Sequence, residues 1–394
     1  MSEGDTAVLA HQLTETLAEL IAIPSQQPPG DTVAICAYIS AKLAALGYRV
    51  ETLSRAPGVD NVVASLGQGA PNLVFNAHID TVGVGDPNLW NSDPFTAQVA
   101  DGAITGLGAG NAKASIAIQL WLAEQIARAG GPRAGTITFT FVGDEENLGP
   151  NGMAYLREIG RVKPDFLVLG AQTENRLITS ERGVLWVGIE TRGHAAHAGA
   201  PQRGDNAIAR MVRIVVALET KLMPQLEARR DGGLHSTVNI GLIQGGHNTN
   251  VVPNACYLEI DRRLLPSESV QGAFAEIAEI VADSGEPAEM VTLKRLRGTK
   301  GFAAPRDGRL VTAFGQAIES VLGRPPCFAD ATGVSDGRYF ANDSIEIVNF
   351  GPGCSAQGHI ANETVPIAEM VESALIQRAM TARLLDRFTG PSET

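Results

Sequence analysis

The chain has little cysteine, a deficit of positive charge and no long apolar run. Its four cysteines, Cys36, Cys256, Cys327 and Cys354, are scattered and form no CxxC pair. That spacing speaks against a disulfide framework and for free thiols in the cytoplasm. Lys and Arg number 31 against 43 Asp and Glu, a net charge of −12. Nucleic acid is therefore not an expected partner. No apolar stretch approaches the roughly 18 residues of a membrane-spanning helix, so no membrane association is expected. The first residues, MSEGDTAVLAHQ, are acidic and carry no signal-peptide pattern. Internal repeats and low-complexity segments are missing too. What remains is a chain of 394 residues, 44% hydrophobic and 19% charged. That is the composition of a soluble globular protein with two domains or one large one.

The stretch around which the rest is organised is Leu73 to Val82, LVFNAHIDTV. Leu73, Val74 and Phe75 predict a buried parallel strand. At its end stand His78 and Asp80, and alternate residues of a strand face the same way. A carboxylate beside an imidazole can fix the tautomer of a metal-binding His. An isolated H-x-D is more often a cap or a surface pair, so its company decides.

Strands and helices alternate around this stretch. Strands are expected over 48–53, 61–66, 136–142 and 166–169, with a helix from about Ala112 to Ala129. The alternation predicts an α/β fold with a mainly parallel sheet covered by helices on both faces. After Gly183 the order becomes β-α-β-β-α-β, that of a ferredoxin-like unit. It predicts an inserted α+β lid or dimerisation domain over residues 184–300. Residues 1–183 and 301–394 then form a discontinuous catalytic domain, closed by a helix from about Pro366 to Phe388.

Polar residues gather at the strand ends. His78 and Asp80 follow one strand, and Asp144, Glu145 and Glu146 follow another. Gly108 to Lys113, GAGNAK, opens a helix, and His359 lies in a loop after a strand ending at Phe350. Two His and an acidic pair converging on one sheet edge make a metal site plausible. Adjacent glutamates alone are usually solvated surface.

The motifs, taken together, resemble the family of co-catalytic zinc aminoacylases and exopeptidases. That family includes glutamate carboxypeptidase, acetylornithine deacetylase and succinyl-diaminopimelate desuccinylase. The resemblance runs nearly end to end: NAHIDTV, WNSDPF, DGAITGLGAGNAK, GDEENLGPNG, RGHAAHAGAPQRGDNAI, GGHNTNVVPNA, EIDRR, GVSDGR, then FGPG and GHIANE. It implies that His78 binds a first metal with Asp80 behind it. It implies Glu145 as the general base and Glu146 and His359 as ligands of a second metal. His197 would reach a dimer partner's active site and hold the oxyanion. Asn250, Arg262 and the Gly353 backbone would grip a substrate carboxylate. Asp336 would be structural or orient the substrate.

The chain departs from the family at two ligand positions. Asn111 stands where the family has a bridging aspartate, and Ala171 where it has a last acidic ligand. Only Glu146 then remains as a carboxylate in the ligand set, against four positive charges for two divalent ions. Uncompensated charge in a closed site is costly, so a normal two-metal centre is not expected. Three readings follow. The first is an amidohydrolase with one zinc or other divalent ion, or with none, on His78, Asn111, Glu146 and His359. Its substrate would be an N-acyl amino acid or small peptide with a free carboxylate. The second is a metal-free enzyme that forms an amide, cyclises or eliminates, with Glu145 as base. The third is a binding protein. The partners expected are a small amino-acid-derived molecule and a second copy of the chain. Cys354 beside His359 is weak ground for a thiol nucleophile.

Overall fold

The computed structural model describes residues 3–331 and 333–385. Its larger sheet is built around four parallel strands in the order Glu346–Asn349, Phe166–Leu169, Asn72–His78 and Gly135–Val142. The flanking strands run antiparallel to their neighbours, except that Phe328–Ala331 pairs parallel with Leu177–Glu181. Val59–Gln68 and Arg49–Ala56 extend one side, and Leu177–Glu181 with Phe302–Ala303 the other.

Strand parity sorts the side chains. Leu73, Phe75 and Ala77 join the main core with Phe139 and Phe141. Phe75 and Phe139 stack at 5.3 Å between ring centroids. The long helices Glu3–Ile21, Val33–Ala45, Ala114–Arg128, Arg309–Leu322 and Ile367–Leu384 cover this face. Leu9, Leu13, Leu17 and Leu20 place the apolar stripe of the first helix into it. Burial of each such side chain contributes about 1.5–3 kcal/mol. The other parity, Val74, Val142 and Leu167, packs under the short helix Met153–Glu158 and the turn Asp336–Phe340.

Between Leu177–Glu181 and Phe302–Ala303 the chain forms a second sheet. Its strands lie in the order Thr237–Gly245, Ala255–Leu264, Gly183–Arg192, Val291–Thr299, and all pairings are antiparallel. Helices Ala207–Ala217 and Val270–Ala282 pack on one face and close a separate apolar cluster. Asn206 and Ser269 cap them by accepting from Ala209 N–H and Gly272 N–H. Element order and strand order are those of a ferredoxin-like unit. The last helix ends at Leu384, and the expected extension over 386–388 lies outside the described residues. Among the described residues, no helix is long and apolar enough to cross a membrane.

Candidate active site

Parallel strands deliver their carboxyl ends to one edge, where ligands bind in open α/β sheets. His78 ends its strand opposite Val142 in the neighbouring one, so Glu145 and Glu146 follow within one loop of it. The Phe166–Leu169 strand runs into Gly170 and Ala171, and Glu346–Asn349 leads to the loop bearing His359. A cleft of about 490 Å³ opens there, with His78, Asn111, Glu145, Glu146 and His359 on its wall.

Local bonding sets each side chain. His78 Nδ1 donates to the Asp80 carbonyl oxygen at 2.9 Å, which turns Nε2 toward the cleft. The Asp80 carboxylate stands 3.6 Å from Nδ1, and its Oδ2 accepts from the Glu146 backbone N–H at 3.1 Å. Asp80 thus holds both the imidazole and the acidic loop. Burial alone would lower the His78 pKa, but Asp80, Glu145 and Glu146 outweigh it and hold it well above the ordinary range. The hydrogen bond to Glu146 raises the pKa of His359.

His78, Glu145 and Glu146 bring ligand atoms within 4.8 Å of one another, a place for a divalent cation. Asn111 closes the remaining space with hydrogen bonds. Its Oδ1 lies 3.1 Å from His78 Nε2, and its Nδ2 is 2.7 Å from Glu146 Oε1 and 3.0 Å from His359 Nε2. Glu146 and His359 also meet directly at 3.0 Å. Ala171 offers no donor atom, and beside it the buried Gln172 Nε2 has no hydrogen-bond partner.

Four other expected residues fall elsewhere. Arg262 is fully buried under the helices of the second sheet, bonded to Glu268, Glu276 and the Ala273 carbonyl. It cannot grip a substrate, and the expectation is corrected: Arg263, one residue on, lines the cleft. Arg263 is braced by Asp261 at 2.8 Å, and Asp261 also accepts from Trp186 Nε1 at 2.8 Å. The sequence held this signal, since Cys256, Leu258, Ile260 and Leu264 share the parity of Arg262. The Gly353 N–H is already taken by Glu369 Oε2 at 2.8 Å and is not free for a carboxylate. His197 and Asn250 lie exposed and adjacent, with the Ala198 N–H bonded to the Asn250 carbonyl at 2.9 Å, and neither lines this cleft.

Several residues of the site carried no role in the sequence reading. Glu363 accepts from the N–H groups of Gly108, Gly110 and Asn111, which shapes the loop that presents Asn111. Burial nonetheless pushes its carboxyl up to about 7. Glu181, buried at the back of the cleft, is pushed up to about 7 in the same way, against bonds from Ser335 N–H and Asn349 Nδ2. Arg338 donates to Glu145 Oε1 at 2.9 Å. Glu363 and Arg338 stood inside GHIANE and GVSDGR, but a motif does not show what its side chains touch.

This fold, with an acidic–imidazole cluster at the strand ends, defines an amide hydrolase of aminoacylase or exopeptidase type. The chain belongs to the peptidase family M20/M25/M40, whose family model matches residues 74–383. It is 30% identical over 341 residues to a succinyl-diaminopimelate desuccinylase of Nitrosococcus oceani, covering 84% of this chain and 88% of the relative. Two solved structures share the fold. An aminopeptidase of Bacillus cereus superposes with TM-score 0.76 at 23% identity, over 95% of this chain and 98% of that one. A Bacillus subtilis protein described as a dinuclear metal-binding peptidase gives 0.73 at 16% identity, over 96% and 99%. The chain is accordingly a hydrolase of amide bonds in acyl-amino acids or peptides.

Proposed function

We propose that the chain cleaves an N-acyl amino acid or short peptide whose free carboxylate pairs with Arg263, with Glu145 as general base. One observation carries this reading: a single cleft has Glu145 beside His78 and Glu146 on one wall and Arg263 with Trp186 on another. Glu145 would take the proton of the attacking water and return it to the leaving nitrogen. Arg263 would orient the substrate by a forked hydrogen bond that lysine cannot copy. The first relative acts on a succinylated amino acid by name, so N-succinyl substrates head the panel to be assayed.

The donor set supports at most one tightly bound divalent ion. Glu146 and His359 would hold it, with His78 and Asn111 beside them. When bound, such an ion lowers the pKa of water and polarises a carbonyl. A second ion is disfavoured because the neutral Asn111 brings no bridging charge and the Ala171 side chain ligates nothing. For one ion to sit on Glu146 and His359, the Asn111 N–H turned toward them would have to swing away. The same hydrogen-bonded closure supports a metal-free reading. Assay in the presence of chelator separates the two, since unchanged turnover would favour the metal-free enzyme.

Residues 184–300 would act as a lid and pair two copies in the cytoplasm. Val212 and Val216 stand exposed on the Ala207–Ala217 helix, and Ile243 on the edge strand Thr237–Gly245. In such a dimer, His197 and Asn250 would enter the partner's cleft. Hydrolysis of N-succinyl and N-acetyl amino acids and dipeptides, followed with and without zinc, tests the activity. No turnover of any of them would sink it.

A further inference from the structure

Arg338 has no part in the chemistry above, yet it is tightly held. Its side chain is 1% exposed. Besides donating to Glu145, it lies 3.5 Å from Asp336 Oδ1, and Nη2 donates to the Tyr339 hydroxyl at 3.2 Å. Asp336 is 3% exposed and accepts from Asn76 Nδ2 at 3.1 Å. Asn76 precedes His78 by two residues in the same strand, and its Oδ1 accepts from the Thr140 hydroxyl at 3.0 Å. Tyr339 donates in turn to the Gly149 carbonyl at 3.1 Å, beyond Glu145 in its loop.

These contacts form one connected path. It runs from the strand that carries His78, through Asn76 and Asp336, to the guanidinium, and from there to Glu145. The loop from Gly143 to Gly149 has no regular secondary structure, and Asp144 and Leu148 lie in the left-handed region at φ 63° and 51°. Such a loop does not place a carboxylate accurately by its own ladder. A planar guanidinium can hold two carboxylates at a set angle, which an ammonium cannot. Asp336 supplies a second buried counter-charge, so Glu145 is not the sole partner of a buried cation. With Oε1 engaged by Arg338, Oε2 of Glu145 would be the oxygen that takes the proton of the attacking water.

We propose that Arg338, anchored by Asp336, is a positioning residue that fixes the Glu145 carboxylate relative to His78. The proposal rests on the reading of Glu145 as the base. Arg338→Met should lower kcat on N-succinyl or N-acetyl amino acids by at least about tenfold and leave KM within about twofold, as expected of a misplaced base. Arg338→Lys should recover part of that loss. In a Glu145→Gln background, removing Arg338 should cost less than about twofold more, because the two act as a unit. Equal losses in both backgrounds, or a rise in KM with kcat unchanged, would overturn the proposal. Wild-type turnover by Glu145→Gln would instead overturn the base assignment alone. If Arg338→Met does not fold, Arg338→Lys carries the test: kcat should lie below wild type at constant KM, and wild-type kinetics overturn it. If the wild type hydrolyses none of these probes, hydrogen exchange over residues 143–151 decides. Exchange should quicken in the Arg338 variants, and unchanged protection rejects the tie.

Discussion

Arg262 and Arg263 follow one another in the same strand and point to opposite faces of it. Arg262 is sealed among Glu268, Glu276 and the Ala273 carbonyl, while Arg263 reaches the cleft, braced by Asp261. The two should therefore fail differently. Arg262→Met leaves the part-buried Glu268 and Glu276 with Arg229 as their remaining cation and should destabilise the fold by about 1.5–3 kcal/mol, the scale for a hydrogen bond to a charged group. Arg263→Lys should keep stability but weaken a carboxylate ligand by about 1.5–3 kcal/mol. Denaturant unfolding and calorimetry read the two effects, and the opposite assignment of losses would contradict the strand parity.

The pairs around Arg262 also set an acid limit. Burial alone would raise the pKa values of Glu268 and Glu276. Hydrogen bonds outweigh it, from Ser236 and Leu265 N–H to Glu268 and from Arg229 to Glu276, with Arg262 adding to both, and both pKa values fall below 4.5. For acids with depressed folded pKa values, the stabilisation is complete above the unfolded value and is lost as pH falls through the folded one. Stability should drop below about pH 4.5 more steeply in the wild type than in Glu268→Gln with Glu276→Gln, compared by unfolding midpoints at about pH 3 and 6. Parallel slopes would show that these pairs do not govern acid unfolding.

Metal content follows from Asn111 and Ala171. Elemental analysis of protein purified without chelator should find no more than one divalent ion per chain. Asn111→Asp with Ala171→Glu restores two carboxylates and should move the count toward two. Two equivalents of zinc in the wild type would contradict the charge argument.

Glu145→Gln keeps size and hydrogen bonding but removes the base. Turnover should fall by about 10²-fold or more, the usual scale of general-base catalysis. Substrate binding should persist, because the carboxylate contact lies with Arg263. A variant that turns over at the wild-type rate would show that another group takes the proton.

The exposed Val212 and Val216 make the association of lids testable. Val212→Glu with Val216→Glu should convert a dimer to a monomer in light scattering, with the fold intact by circular dichroism. A wild-type monomer at working concentration would remove the dimer and any role of His197 in a partner's site.

Period and punctuation determined much of this protein. The apolar run Leu73 to Phe75, the βαββαβ order after Gly183 and the polar residues at strand ends follow from local chemistry, because burial imposes its period on the sequence. Family resemblance added His78, Glu145, Glu146 and His359, and they do converge on one cleft. Asn111 and Ala171 were readable as losses of charge. What Asn111 does in their absence was not readable: three hydrogen bonds across the cleft depend on loops from distant strands meeting within about 3 Å. Arg338 on Glu145, Glu363 under the Asn111 loop and Glu369 on the Gly353 N–H are likewise contacts between residues far apart in the chain. Tertiary packing alone decided which polar group met which, because a buried donor or acceptor takes the partner that the fold brings within reach.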